Sequence, residues 1–182
     1  MVYLFLADGF EEIEALTPVD LLRRVGEKVI TVGVTGKTVT GSHGIPVVAD
    51  ITGDEALEML GNDKTELIIL PGGMPGAKNL DMSPVVDAFI NKALEDDAYI
   101  AAICAAPMIL GKRGLLKGRD ATCYPGFEEY LEGAKHYEAS VVVDGNFVTS
   151  NGMGSALDFA LQLTALLKGE SESEKLADAI MA

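Results

Sequence analysis

The chain has 182 residues, and its 48% hydrophobic content is enough to fill the core of one globular domain, which we expect to span residues 1–182. Its 14 Lys and Arg stand against 28 Asp and Glu, a formal net charge of −14. A field of that sign repels phosphate backbones and anionic lipid headgroups. Composition therefore argues against nucleic-acid and membrane-surface partners.

The cysteines and the apolar runs indicate the cellular compartment of the protein. The opening segment Met1–Asp8 has no basic region and too short an apolar run for a secretory leader. The longest apolar stretch, Tyr99–Gly111, contains Pro107 and is shorter than the ~18 residues that a membrane span requires. We expect a cytoplasmic protein that keeps its two cysteines, Cys104 and Cys123, as free thiols.

In chain order, short apolar runs alternate with helical patterns. This alternation is typical of a parallel sheet with crossover helices, and unbroken apolarity suits strands that are covered on both faces. The sequence therefore predicts an α/β fold with a mainly parallel central sheet. The predicted core strands are Val2–Ala7, Lys28–Val34, Glu66–Leu70 and Tyr99–Ile103.

Helix ends and breaks are also visible in the sequence. Ser83-Pro84 predicts an N-cap followed by proline in the first turn of a helix over Val85–Leu94. Ser155–Asp158 and Ser171–Glu174 have the pattern of capping boxes. Thr17-Pro18 lies inside the first helical pattern, so we expect that helix to restart or kink there.

Two segments depart from the βα alternation. The stretch Thr35–Asp50 mixes glycines with β-branched residues and predicts short antiparallel strands. Val141–Val143 and Phe147–Ser150, joined through Asp144–Asn146, predict a β-hairpin.

Several cofactor motifs are absent. Gly36–Thr38 resembles the end of a P-loop, but Thr31 stands where the loop requires glycine. Gly72–Gly76 follows a strand without the dinucleotide-binding fingerprint. Metal-ligand spacing is lacking, and no carboxylate–histidine pair clusters as a zinc site would. The residues that lack this spacing are His43, Cys104, Cys123 and His136. We expect no cofactor and no metal, and we expect both histidines to be structural or surface residues.

Cys104 is the leading candidate for chemistry. It lies between the strand Tyr99–Ile103 and a helical run over Ala105–Leu110. A sharp strand-to-helix turn pushes a nucleophile out of the sheet, and the following helix N-terminus favours thiolate over thiol. The alternative is that Cys104 is a small buried hydrophobe in a core strand.

Two further segments favour the functional interpretation. Glycines in Pro71–Gly73, at a strand's carboxyl end, allow backbone amides to approach a ligand and, with the amide of Ala105, to form an oxyanion hole. Glu14 follows the first strand, where a nearby thiolate and desolvation push a carboxyl towards its protonated form. It could then donate a hydrogen bond to the sulfur and shuttle protons. For Glu11 and Glu12 the helix dipole is a sufficient explanation.

Four segments together resemble the ThiJ/PfpI superfamily, in the branch of the parkinsonism-associated protein deglycase. They extend over nearly the whole chain in the family's order. The resemblance implies a flavodoxin-like three-layer α/β sandwich, related to class I glutamine amidotransferases, and a homodimer. The segments are Ala7–Asp20, Leu70–Leu80, Ile100–Pro107 and Thr149–Phe159.

The resemblance also implies roles for individual residues. Cys104 corresponds to the reactive cysteine, Glu14 to its carboxylate partner, and Gly73 with Ala105 to the oxyanion-type donors. Gly72 lies next to this site in the family's pattern.

At other positions the resemblance gives weaker support for a role, or the residue differs from the family's motif. Arg24 and His43 fall where the family sometimes supports an anion near the cysteine. Tyr124 stands where many relatives have a histidine, and a phenol is a poorer proton shuttle near neutrality. Glu14 must then carry the proton transfers. The peptidase-like branch has His where this chain has Ala105, so proteolysis is disfavoured.

Three functions follow as hypotheses. The first is an enzyme acting on small aldehydes, or on glycated amines and thiols, as a glutathione-independent glyoxalase or deglycase. The second is a redox-sensing, stress-protective protein in which Cys104 is oxidised to the sulfinic acid. The third is a cysteine amidohydrolase or peptidase, which needs a histidine base that neither His43 nor His136 convincingly supplies.

Overall fold

The computed structural model describes residues 1–182 and is organised around a seven-stranded sheet with strand order β10-β11-β7-β6-β1-β2-β5. Neighbouring strands pair in parallel except for β10 and β11, which form an antiparallel hairpin at one edge. Two further two-stranded sheets, β3-β4 and β8-β9, lie outside the central sheet. The strands are β1 Val2–Leu6, β2 Val29–Gly33, β3 Thr38–Thr40, β4 Pro46–Val48, β5 Ile51–Thr52, β6 Leu67–Leu70, β7 Tyr99–Ile103, β8 Asp120–Ala121, β9 Lys135–His136, β10 Val141–Asp144 and β11 Phe147–Ser150.

Seven α-helices cover the two faces of the sheet and complete a three-layer, flavodoxin-like sandwich. Side chains of α1 and α6 pack on one face, with α7 lying against α6, and side chains of α2 to α5 pack on the other. No helix is both long and apolar enough to cross a membrane. The helices are α1 Glu12–Arg24, α2 Gly53–Met59, α3 Gly76–Asp81, α4 Pro84–Glu95, α5 Pro107–Lys112, α6 Ala156–Lys168 and α7 Glu170–Ile180.

Strand β1 shows why the predicted strands are continuously apolar. Its residues Tyr3 and Phe5 pack in one buried cluster, whereas Leu4 and Leu6 pack in the cluster on the opposite face. Because successive side chains alternate between faces, a strand covered on both sides needs an apolar residue at every position.

The predicted α/β fold and its four core strands are confirmed, each to within one residue at either end. The antiparallel excursion appears as β3 and β4, and the predicted hairpin as β10 and β11. Ser83 caps α4 as predicted, its hydroxyl accepting from the amide of Val86 at 3.5 Å.

Three local predictions about helix ends differ from the structure. Helix α1 does not restart at Pro18 but continues through it to Arg24. Ser155 stands at the N-cap of α6, but its hydroxyl hydrogen-bonds to Ser150 and Asn151 instead of closing a capping box. Ser171 lies inside α7, because Gly169 at the N-cap begins that helix earlier.

Candidate active site

Cys104 follows β7 directly and adopts a left-handed backbone conformation with φ of +64°. Its amide donates to Ser150 O at 2.8 Å, and its carbonyl accepts from the amide of Tyr124 at 2.8 Å. A positive φ is uncommon for a residue with a side chain, and such strain concentrates at functional sites. The predicted sharp turn is therefore present. However, α5 begins only at Pro107 and is six residues long, so the cysteine does not stand at the helix start itself.

Backbone amides converge on the Cys104 sulfur from two segments. The amides of Gly73 and Ala105 both donate hydrogen bonds to it. Gly73 has a φ of +83°, a conformation that glycine adopts without steric cost. Cys104 is partly exposed, whereas the other cysteine, Cys123, is buried.

Glu14 supplies the carboxyl beside the thiol. It lies in the first turn of α1, is 1% exposed, and hydrogen-bonds to the side chain of Cys104. The amide of Gly72 donates to its Oε2 at 2.8 Å. A Cβ atom on Gly72 would lie 2.6 Å from that oxygen and 2.7 Å from Cys104 Cβ. Only glycine therefore lets β6 end this close to both groups.

Burial controls the protonation of this pair. It raises the pKa of Glu14 to about 7, with a smaller contribution from the Glu11 carboxylate, against the lowering effect of hydrogen bonds from Cys104 and Gly72. Burial also raises the pKa of Cys104 to about 12, assisted by the charge and hydrogen bond of Glu14. The amides of Gly73 and Ala105 favour the thiolate but do not outweigh these effects.

Burial therefore opposes the expected thiolate, and the helix start does not lie at the sulfur itself. The desolvation that raises the Glu14 pKa acts on the sulfur as well, and the short α5 begins beyond it. Burial thus favours the protonated form of both groups, and the charge of Glu14 adds to this effect at Cys104.

His43 pairs with acidic residues at the start of α1. Its Nδ1 lies 3.0 Å from Glu12 Oε2 and 3.4 Å from Glu11 Oε2, and the Ser42 hydroxyl donates to both carboxylates at 3.3 and 3.2 Å. The expectation that no carboxylate clusters with a histidine is therefore wrong. Because the contact joins residues 31 positions apart, local spacing in the sequence does not reveal it.

The charges within this cluster are mutually stabilising. Burial disfavours the Glu12 carboxylate, but hydrogen bonds from the His43 ring and from backbone amides hold its pKa at about 2. The same bond raises the pKa of His43. Ligand atoms of Glu11, Glu12 and His43 lie within 4.8 Å of one another and could together hold one cation. The ion pairs and the Ser42 bonds account for the arrangement by themselves.

Arg24 and His43 do not converge on the thiol within one chain. Arg24 is ten residues beyond Glu14 on α1, a separation of roughly 15 Å at the α-helical rise, and its Nε donates to Asp20 Oδ2 at 2.8 Å. His43 is committed to its carboxylate partners. Neither supplies a free positive charge at Cys104.

Tyr124 contacts the turn that carries Cys104. Its amide binds the Cys104 carbonyl, and its half-exposed ring packs against Phe127, with ring centroids 6.5 Å apart. Cys123 beside it is 2% exposed, and burial raises the pKa of its thiol to about 11. The second cysteine is thus a buried thiol.

Glu11 is the site residue that sequence reasoning explained incompletely. It is 8% exposed, and its charge raises the pKa of Glu14. A helix-dipole role needs no burial, so the acidic pattern alone could not indicate this coupling. The useful signal was the spacing of Glu11 and Glu14, which places them one helical turn apart.

Comparisons with known proteins agree on one family. The sequence profile of the DJ-1/PfpI family matches residues 1–166. Protein dj-1beta of Drosophila melanogaster is 34% identical over 179 residues, covering 97% of this chain and 94% of the fly protein. The crystal structure of Drosophila melanogaster DJ-1beta superposes with a TM-score of 0.92 at 32% identity, covering 100% of this chain and 97% of that one.

Two relatives carry names that state an activity. A deglycase of Pyrococcus abyssi is 33% identical over 170 residues, covering 92% of this chain and 99% of the archaeal protein. A glutathione-independent glyoxalase of Caenorhabditis elegans is 32% identical over 167 residues, covering 91% of this chain and 87% of the nematode protein.

Proposed function

The chain belongs to the DJ-1/PfpI family, and from that premise we propose that it is a cysteine-dependent enzyme acting on reactive carbonyls. Its substrates would be α-oxoaldehydes such as methylglyoxal, or the early adducts of these aldehydes with amines and thiols. The names of the deglycase and glyoxalase relatives support this class of substrate.

The observation that carries the proposal is the hydrogen-bonded pair of Cys104 and Glu14, flanked by the amides of Gly73 and Ala105. A carboxyl whose pKa is about 7 is half ionised at neutral pH and can both accept and return a proton. Two amides beside the nucleophile suit the oxyanion that forms when a sulfur adds to a carbonyl.

The first step of the proposed mechanism is addition. The carboxylate of Glu14 takes the Cys104 proton as the sulfur attacks the aldehyde carbon, so the thiolate forms only during the reaction. The C=O π electrons move to the oxygen, where the amides of Gly73 and Ala105 stabilise the negative charge. Returning the proton to that oxygen gives a neutral hemithioacetal and restores the Glu14 carboxylate.

The second step is an internal oxidation and reduction. Glu14 removes the hydrogen of the former aldehyde carbon as a proton, leaving an enediolate. Return of that proton to the neighbouring carbon, with transfer of the hydroxyl proton to the former ketone oxygen, gives the thioester of a hydroxy acid. The former aldehyde carbon is thereby oxidised and the ketone carbon reduced. Water then attacks the thioester, the C–S bond breaks, and the hydroxy acid and the Cys104 thiol are released. Methylglyoxal and water together yield lactic acid.

The experiment is lactate formation from methylglyoxal by the purified protein and its variants. Cys104→Ser and Glu14→Ala should each abolish turnover. Cys123→Ser is the matched control, because that cysteine is 2% exposed and hydrogen-bonds to neither Cys104 nor Glu14, and it should retain activity. Full activity in Cys104→Ser or Glu14→Ala would refute the mechanism.

A comparison of rates with the same variants distinguishes the free aldehyde from its adducts as the substrate. Methylglyoxal is presented alone, and in parallel as its preformed hemithioacetal with N-acetylcysteine under conditions where free aldehyde is trapped. Turnover of the trapped mixture identifies the adduct as substrate, and its loss identifies the free aldehyde.

A redox-sensing role is the second candidate. The partly exposed Cys104 could be oxidised to a sulfinic acid, which protonated Glu14 and the amides of Gly73 and Ala105 could stabilise by hydrogen bonds. Peroxide reacts with thiolate rather than thiol. Burial raises the pKa of Cys104 and so opposes the standing thiolate that a sensor needs, whereas an enzyme can form its thiolate during turnover.

Mass spectrometry after mild peroxide treatment distinguishes the two. Selective addition of two oxygens at Cys104, together with negligible turnover of aldehydes, would favour the sensor. Slow and unselective oxidation with measurable lactate formation would favour the enzyme.

A further inference from the structure

Three exposed apolar side chains follow the segments that hold Cys104. Met74, Tyr124 and Met153 have exposed fractions of 50%, 48% and 55%. We call these three residues the apolar rim. Large apolar side chains that remain exposed beside a reactive group form a surface that can bind an apolar group.

Backbone contacts connect the rim to the thiol. Met74 directly follows Gly73, whose amide donates to the Cys104 sulfur, and the amide of Tyr124 donates to the Cys104 carbonyl at 2.8 Å. Met153 follows Gly152, which lies so close to the Tyr124 ring that a Cβ on this glycine would be 3.3 Å from Cδ2. The three residues therefore lie in three segments that backbone contacts of Cys104 and the Tyr124 ring connect.

The carboxyl groups near Cys104 are not accompanied by a lysine or arginine that could bind a negatively charged substrate. Glu14 is buried beside the sulfur, and buried Glu11 adds its charge at Glu14. No lysine or arginine hydrogen-bonds to either carboxyl or to Cys104. A negatively charged substituent would meet like charge there, whereas a neutral apolar one would meet the rim.

We infer that the apolar rim makes this site selective for carbonyl compounds that carry an aryl or bulky alkyl substituent. The inference rests on the proposed function in one respect, because it names the substituent that the same thiol would accept. Thioether side chains adapt to irregular apolar groups, and the Tyr124 ring offers a rigid face for stacking.

The kinetic test compares kcat/KM for phenylglyoxal and for glyoxal, and follows the ratio between variants so that the intrinsic reactivity of the two aldehydes cancels. Tyr124→Ala and the triple variant Met74→Ala/Tyr124→Ala/Met153→Ala should lower the phenylglyoxal preference, the triple variant by about tenfold. Tyr137→Ala is the matched control, since Tyr137 is a tyrosine with an exposed fraction of 47%, and it should leave the ratio unchanged.

A second readout does not depend on turnover. The rate of Cys104 labelling by N-phenylmaleimide relative to N-methylmaleimide is measured in a Cys123→Ser background. Loss of the rim should lower this ratio, and Tyr137→Ala should not. Ratios that stay unchanged in both assays would overturn the inference while leaving turnover, and hence the proposed function, intact. Absent turnover with a reduced labelling ratio would remove the proposed function and retain the rim as a binding surface.

Discussion

Glu14 accepts a 2.8 Å hydrogen bond from the amide of Gly72, and this contact fixes the carboxyl of the first helix against the end of the central sheet. Because the next residue, Gly73, donates its amide to the Cys104 sulfur, one turn after β6 orients both members of the acid–thiol pair. Protonation of the acid and ionisation of the thiol are consequently coupled, and each affects the other's pKa.

The first prediction concerns that coupling. The negative charge of Glu14 is one cause of the raised Cys104 pKa, so Glu14→Gln should lower it from about 12 and increase the thiolate fraction at pH 9. The measurement is thiolate absorbance in the ultraviolet against pH, in a Cys123→Ser background that leaves one thiol. A Glu14→Gln curve that coincides with the parent curve, or moves to higher pH, contradicts the coupling.

The second prediction is a pH-dependent stability difference. Burial raises the pKa of Glu14 from 4.5 to about 7 in the folded state, so folding takes up a proton between these values. The contribution of protonated Glu14 to the free energy of unfolding is fully present below pH 4.5 and is lost as pH rises through 7. Relative to the wild type, Glu14→Gln should therefore gain about 3 kcal/mol of unfolding free energy between pH 4.5 and pH 8.

Urea denaturation across this pH range gives the measurement. Glu58→Gln is the control, because Glu58 is an exposed carboxyl on α2 without a hydrogen-bond partner. Its stability difference from the wild type should stay constant with pH. A constant difference for Glu14→Gln as well would mean that Glu14 is ionised in the folded protein as readily as in the unfolded chain.

The third prediction uses the close approach of Gly72. An alanine there would place Cβ 2.6 Å from Glu14 Oε2 and 2.7 Å from Cys104 Cβ, so the pair must separate. Since small displacements of reacting groups reduce rates steeply, Gly72→Ala should lower kcat/KM for methylglyoxal by about a hundredfold or more.

Gly154→Ala is the matched control, since nothing lies within 4 Å of a Cβ at that position. Circular dichroism should show that both variants fold. Activity close to wild type in Gly72→Ala would indicate that the acid and the thiol need not be held together for turnover.

The central fold could be predicted from sequence because its signals are local. Strands such as β1 are buried on both faces, so every position is apolar, and Ser83-Pro84 marks the start of α4 within a few residues. The hairpin of β10 and β11 is likewise specified by its turn, where Gly145 has a φ of +58°.

The chemistry of the site depends on distances that local sequence does not contain. The position of Cys104 in a turn was predictable from the strand before it, but its protonation depends on burial and on Glu14, which arrives from a helix ninety residues earlier in the chain. The pairing of His43 with Glu12 across 31 residues is a second example. In both cases the fold, and not the spacing, sets the electrostatics.

The last prediction concerns backbone strain at the nucleophile. With φ of +64°, Cys104 occupies a region that costs an L-residue about 1 kcal/mol or more and costs glycine almost nothing. Cys104→Gly should therefore be more stable than Cys104→Ala by about 1 kcal/mol in urea denaturation, although glycine ordinarily destabilises folded proteins through the unfolded state. Ala106→Gly provides the comparison, because Ala106 has an α-helical φ of −66° in the same turn and should lose stability on this change. The opposite result would be a Cys104→Gly variant that is less stable than Cys104→Ala. If that loss equals the loss caused by Ala106→Gly relative to the wild type, the turn holds Cys104 without strain.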